Sequence, residues 1–401
     1  MTTHVLHRRS LAAFALLGLI AASSSGAQIP VRDLPKATRE IEDPFSMIAG
    51  ALELKSGQVL MVDAAEMDLV LVDFLKGART ILGRKGSGPG EYRAPSALLR
   101  VPGDSVWVFD AAQQRFVTWD SDMKAGATVA MMSFDQATST ALTAPMIGDR
   151  KGNLYASGMT INIGRGGGSG GRAMQMEFPD SVGIVRVDPR DAKTRTEIAR
   201  VRFPVSGKPQ MTQVSERAFK YSLAYPGLVA ADAWSVFPDG RVAIVHGAAY
   251  TVEFITADGK HSAAVRVPYE PIRVSEEDKK AEMVEAQRVM KEQTKAAQKQ
   301  MPANISMEFE LLPPATWPAT YPAVSPLGAF AAPDGRLWVK RAIPIRDGRE
   351  QWDVLDATGK LVARWRLPAK TTIVGVGTGV VYAARTDDDD FRYAQRIEVP
   401  R

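Results

Sequence analysis

Four histidines and no cysteine leave little room for nucleophilic or zinc chemistry. His4 and His7 lie near the N-terminus, and His261 follows the turn Asp258-Gly259-Lys260. His246, in His246-Gly247-Ala248, stands alone, so a multi-histidine zinc site would need a partner chain. It reads as an ordinary loop histidine or as a ligand-contacting residue. Gly167-Gly168-Ser169-Gly170-Gly171 matches Gly-x-Ser-x-Gly, but that nucleophile motif needs a strand before it, a helix after it and a histidine nearby. Its flanks, Ile163-Gly164-Arg165-Gly166 and Arg172-Ala173-Met174, describe a glycine-rich loop instead. Asp387-Asp388-Asp389-Asp390 offers hard oxygen ligands of the kind Ca²⁺ takes. Without a turn glycine or alternating spacing it reads first as a solvated loop, with Asp387 and Asp389 the candidate metal ligands; no other cofactor is expected. What remains is binding chemistry. Arg84, Arg165, Arg172, Arg341 and Arg346, with Tyr225, His246, Trp317 and Tyr321, are the guanidinium and aromatic types that recognition surfaces use.

The chain that must position these groups has 401 residues, 45% hydrophobic and 24% charged, an ordinary globular balance. The absence of cysteine excludes a disulfide scaffold and a thiolate metal site. A net charge of +5 without a Lys/Arg block does not indicate nucleic-acid binding. Residues 1–27 carry Arg8-Arg9, the apolar run Leu11 to Ala22 and small residues ending at Ala27, the three parts of a cleavable export signal. Arg8-Arg9 leaves the general and twin-arginine routes both open. The apolar run is too short to span a bilayer. Cleavage loses two arginines and no acid, taking the charge to +3. The expected product is periplasmic or extracellular, monomeric and without a membrane span.

One phrase recurs along the chain: a Gly/Asp turn followed by a short apolar strand. It appears as Ser56-Gly57-Gln58-Val59, Gly103-Asp104-Ser105-Val106 and Lys151-Gly152-Asn153-Leu154. It returns as Asp239-Gly240-Arg241-Val242, Asp334-Gly335-Arg336-Leu337 and Gly377-Thr378-Gly379-Val380. Asp-Gly and Ser-Gly are hairpin chemistry, because glycine accepts a positive φ, and the β-branched and aromatic flanks suit strands. A second hairpin phrase, Thr256-Ala257-Asp258-Gly259-Lys260, recurs as Asp356-Ala357-Thr358-Gly359-Lys360. Each unit therefore holds four strands, A to D. Segments 161–180, 205–232 and 269–324 lack the phrase; with them set aside, the remainder divides into units of about 45 residues, the length of a four-stranded propeller repeat. The fold class is all-β, a six-bladed β-propeller of four-stranded antiparallel blades, filling 28–401 as one domain. The last unit lacks a fourth strand, which residues 28–42 can supply.

Leu82-Gly83-Arg84-Lys85-Gly86-Ser87-Gly88-Pro89-Gly90-Glu91-Tyr92-Arg93-Ala94-Pro95 resembles the inter-blade signature of NHL-like repeats. Gly-x-Gly-Pro-Gly-Glu-Tyr within it, and the stretch from Tyr321-Pro322 through Leu337-Trp338-Val339 to Trp352-Asp353-Val354, are similar to a family of bacterial exported six-bladed β-propeller proteins. That resemblance implies a fold and an exported location, and carries over no catalytic residue. Glu91 is expected to bond nearby backbone N–H groups.

In a propeller, B–C and D–A connections share one face of the disc and A–B and C–D turns the other. All three long segments fall in the first class, and long loops on a rigid scaffold usually carry function. Within 269–324, Ser275-Glu276-Glu277-Asp278 is a capping-box pattern, and a surface helix is expected over about 275–300. Met283, Ala286, Met290 and Ala297 form its narrow apolar stripe. The expected function is non-catalytic recognition of a protein, peptide or glycan of the cell envelope on that face. The alternative is a hydrolase or lyase with a carboxylate–Arg or Ca²⁺ centre at the channel mouth.

Overall fold

The computed structural model describes residues 29–131, 134–135, 140–160, 162–166, 173–177, 179–188, 191–204, 210–300 and 306–400. The export signal at 1–27, the Gly167–Gly171 motif and Arg172 lie outside the described residues.

Sheet I comprises Ile48–Glu53, Val59–Asp63, Asp68–Asp73 and Ala78–Ile81, and sheet II Pro95–Arg100, Val106–Asp110, Arg115–Trp119 and Ala125–Ala130. Sheet III comprises Thr140–Gly148, Leu154–Thr160, Ser181–Asp188 and Asp191–Arg202, with Phe134–Asp135 paired to its first strand. Sheet IV is Ala233–Val236, Val242–His246, Thr251–Ile255 and Val265–Arg266. Sheet V is Val324–Ala331, Leu337–Arg341, Gln351–Leu355 and Leu361–Arg366, joined on its outer edge by the parallel strand Val31–Asp33. Sheet VI is Thr371–Val376, Val380–Thr386 and Arg392–Glu398, whose outer edge pairs antiparallel with Arg39–Glu40. The first strands touch one another in the order I, II, III, IV, V, VI and back to I. That cyclic order makes the fold a β-propeller.

Its apolar core is not one mass but a set of layers, one between each pair of neighbouring sheets. Val59-Leu60-Met61-Val62 shows why the second strands read as unbroken apolar runs. Val59 and Met61 pack toward sheet VI, and Leu60 and Val62 toward sheet II. A strand covered on both faces has no solvent side on which a polar residue would sit. The A–B turns follow the local chemistry: Gly240 and Gly335 take φ near +88° and +86°, and Asp239 and Asp334 accept the backbone N–H of Arg241 and Arg336.

The three long segments converge. Strands Asn162–Gly166 and Ala173–Glu177 from the first, Gln210–Ser215 and Ala218–Ala224 from the second, and Ser306–Leu312 from the third form one five-stranded accessory sheet. Ala218–Ala224 and Ser306–Leu312 run parallel, in register from Ala218↔Ser306 to Ala224↔Leu312. Only the helix Glu276–Gln300, here α1, is foreseen from sequence; the strands pair across separations that local patterns do not report.

The N-terminal stretch stitches the ring. Leu34 enters the layer between sheets V and VI, and Ile41 the layer between VI and I. A variant lacking residues 28–42 is expected to lose roughly 3–6 kcal/mol for those two side chains and to expose the Arg392–Glu398 edge. Urea unfolding should show a lowered midpoint, and gel filtration should show association; a wild-type midpoint would contradict this role.

Candidate functional site

The expected binding residues are engaged mostly within the molecule. Arg84 donates through Nε to Glu91 Oε1 at 2.6 Å, while Glu91 accepts the N–H groups of Ser87 at 2.9 Å and Gly88 at 2.7 Å. These bonds, from Gly88 first and then Arg84, hold the Glu91 carboxyl below its ordinary range. The glycine-rich stretch is thus an inter-blade linker, with its carboxylate on backbone N–H groups. Arg165 lies in the accessory sheet.

Tyr225 and Arg346 hold α1 directly, Trp317 packs on Tyr225, and Tyr321 bonds the segment leading into the helix. Ser275 Oγ accepts from Asp278 N at 3.1 Å, and Asp278 Oδ2 accepts from Ser275 N at 2.9 Å, the reciprocal pattern of a capping box. Arg346 Nε reaches Asp278 Oδ1 at 2.9 Å and its Nη1 reaches Glu277 at 3.0 Å. Tyr225 donates to Glu282 Oε2 at 3.0 Å, and its ring lies 6.0 Å from that of Trp317. Tyr321 is buried, and its N–H donates to Ile272 O. Among the helix positions whose burial is described, the deepest are Asp278 and Glu282, at 1% and 8% exposure, whereas Met283 is half-buried. The helix therefore docks through carboxylates as well as through its apolar stripe, a pattern hydrophobic periodicity does not register. Burial pushes the Glu282 carboxyl up, with repulsion from Asp278 and Glu285 adding to it and the Tyr225 hydrogen bond opposing.

Arg341 occupies a different setting. It is 5% exposed and faces Asp353, at 3.4 Å and fully buried, with its guanidinium over the rings of Tyr250 and Tyr269. Arg364 approaches the other oxygen of Asp353 at 3.4 Å, and Tyr250 donates its hydroxyl to Asp353 at 2.7 Å. Arg341 Nε donates to Ala323 O at 2.6 Å, and Arg364 donates to Pro268 O. Pro268 and Ala323 are the two stems of the 269–324 insertion. A single carboxylate thus lies between the two guanidiniums that grip both ends of that excursion. A cavity of about 390 Å³ beside them is lined also by Glu270, Gln351 and the N-terminal Ile29-Pro30-Val31.

His246 is not isolated. Its Nδ1 lies 3.4 Å from Asp232, and its Nε2 lies 3.6 Å from Glu253. Glu253 is also 3.9 Å from His261, which the sequence places on the opposite face. Hydrogen bonding to Asp232, assisted by the charges of Asp232 and Glu253, raises His246 above 6.5 against the effect of burial. No group of three or more potential metal ligands with suitable geometry occurs among the described residues. Asp387 accepts the N–H groups of Asp389 and Phe391, and Asp388 pairs with Lys370 at 2.8 Å, so this run is engaged in a turn.

The axial channel encloses about 790 Å³ between the first strands of all the sheets. Its wall has Ile48, Leu98, Leu142, Val236, Phe330 and Ile373 among its members, and no ionisable side chain. At its A–B turn end the lining changes to Glu53, Arg100 and Arg150, and a cleft of about 630 Å³ adds Lys55 and Asp104. Burial, then repulsion from Arg150, lower the Arg100 guanidinium, while Glu53 and Asp104 act the other way. These residues escape sequence reasoning because each arginine sits singly at the end of a different A strand or turn.

Neither a family model nor a curated protein sequence matches the chain. Among solved structures, the chain is similar to a member of the DUF4221 family from Bacteroides vulgatus, at 9% identity and TM-score 0.46, covering 92% of this chain and 97% of that one. It is also similar to virginiamycin B lyase from Staphylococcus aureus, at 9% identity and TM-score 0.40, covering 91% and 99%. A gluconolactonase from Xanthomonas campestris shows 10% identity and TM-score 0.43, covering 93% and 97%.

Two outcomes follow from this geometry. Asp353→Asn should destabilise the protein by about 3–5 kcal/mol, because two buried guanidiniums lose their counter-charge; an unchanged urea midpoint would refute the clamp. His246 has a raised folded-state value, so its contribution is complete below 6.5 and disappears as pH rises through that higher value. The difference in melting temperature between the wild type and His246→Gln should shrink from pH 6 to pH 9, and a constant gap would show that charge is not involved.

Proposed function

We propose that the protein is an exported six-bladed β-propeller that binds a partner on the face carrying its insertions and is not itself catalytic. The six-blade reading is supported by the closed contact order of the first strands and by an apolar layer at every junction. Export rests on the signal read in residues 1–27. No helix among the described residues is long and apolar enough to cross a membrane.

The binding reading is carried by one observation: three excursions from separate connections assemble into a single sheet and helix outside the blades. Ordering that many residues costs conformational entropy and adds no blade to the ring. The assembly also leaves Val214, Val284, Val289 and Leu312 exposed, at 65%, 67%, 37% and 42%. The channel wall presents no acid or base, and at its A–B turn mouth the Glu53 carboxylate is taken up by the Tyr382 hydroxyl and the Thr378 N–H, which supports binding over the hydrolase or lyase alternative.

A photo-reactive amino acid in place of Val214 or Val284 should form a discrete cross-linked adduct in the cell envelope. The same group in place of Asp258, in a C–D turn, should not. Absence of adducts from both valine positions, with unaltered folding, would remove this reading.

A further inference from the structure

We propose that the axial channel is a second binding site, for an anionic amphiphile whose unbranched alkyl chain lies in the channel with a carboxylate or phosphate head beside Arg100 and Arg150. This site is at the mouth opposite the insertions and stands apart from the partner-binding reading.

The wall dictates the body of the ligand. Its polar side chains are Ser96, Gln114, Ser235 and Thr372, spread among small and aliphatic residues. Beyond the free backbone edges of the first strands this wall offers a polar solute few hydrogen bonds, whereas an alkyl chain gains where it leaves water against the aliphatic side chains. First strands of six residues, such as Ile48–Glu53, give the tube a length of about 20 Å.

The lower end dictates the head. A vestibule of about 120 Å³ shares Leu52, Leu98 and Ile147 with the channel and adds Glu53, Arg100 and Arg150. Charge there is unevenly used. Lys55 pairs with Asp104 at 3.1 Å, and Glu53 accepts from Tyr382 at 2.9 Å and from the Thr378 N–H at 3.3 Å. Among the described residues, neither Arg100 nor Arg150 has a carboxylate within 4 Å; Arg100 donates to the backbone oxygen of Glu53. Two guanidiniums against the single carboxylate of Glu53 leave the vestibule with an excess positive charge that one anionic head offsets, and guanidinium matches carboxylate and phosphate oxygens in pairs.

Calorimetric titration of the full mature chain with dodecanoate, dodecyl phosphate, dodecanol and dodecylamine, each below its micelle concentration, tests this. Dodecanoate or dodecyl phosphate should saturate at one per chain, with dodecanol at least about tenfold weaker and dodecylamine weaker still. The tighter of the two anions distinguishes a free fatty acid from a phospholipid-derived ligand. Arg150 is exposed at a turn, and Arg150→Ala should weaken the anions about tenfold or more while leaving dodecanol unchanged. A side chain at Gly50 meets nothing within 4 Å at its Cβ, so Gly50→Trp should fill the channel and abolish binding of every probe. Equal affinity for dodecylamine and dodecanoate, wild-type anion affinity in Arg150→Ala, or no saturable binding would overturn the proposal. Cross-linking at Val214 and Val284 should be unaffected by Arg150→Ala, so the two readings fail separately.

Discussion

The inner strands of sheets I to VI are apolar on both faces, and that constraint organises the rest. A sheet with one wet face can lie on a single core, but Val59 to Val62 or Val242 to Val245 must be covered from both sides. Neighbouring sheets provide the cover, and a circular arrangement leaves none of these faces bare. The Arg39–Glu40 strand lies on the outer edge of sheet VI before the chain enters sheet I, so the two ends of the described chain meet in one blade. An annular protein built this way has a channel as a by-product. Its wall is formed by the first strands, and here their lining side chains carry no charge.

The buried charges are arranged around this scaffold rather than within the channel. Asp63 accepts the N–H groups of Ser46 and Met47, and Asp110 those of Arg93 and Ala94, so each carboxylate fixes the connection into an A strand. Asp353 performs a related task at longer range, through arginines that hold Pro268 and Ala323. A buried carboxylate is costly unless compensated, and here backbone and guanidinium donors at the loop roots do so, joined by the Gln113 amide at Asp110 and the Tyr250 hydroxyl at Asp353. The insertion is thereby held at its base while its helix and strand extend over the disc face. Its docking is polar: carboxylates of α1 meet Arg346 and Tyr225.

The repeat and its hairpin turns were legible because both are local: Asp-Gly at 239–240 and 334–335 specifies a turn within four residues. The capping box at Ser275 was legible for the same reason. The three long segments were recognised as excursions from one face, yet their strands were not, since Ala218–Ala224 finds its partner in Ser306–Leu312 only after the chain has built all of sheet IV. The arginine and aromatic types of the candidate surface are visible in the sequence as types. Their use was not visible, because Tyr225 and Arg346 meet α1 partners, and Tyr321 is buried with its N–H on Ile272, through tertiary packing rather than sequence proximity.

Local patterning thus determined by itself that this chain forms short twisted strands in repeated hairpins, one capped helix and three excursions on a common face. Period, turn chemistry and capping act over a few residues, so they are written in consecutive positions. Only the tertiary structure decided that the excursions would merge into one sheet, that Asp353 would hold both roots of the longest of them, and that Arg100 and Arg150 would meet at the foot of an apolar channel. Those relations join residues dozens to a hundred positions apart, and the ring geometry that brings them together is a property of all the sheets at once.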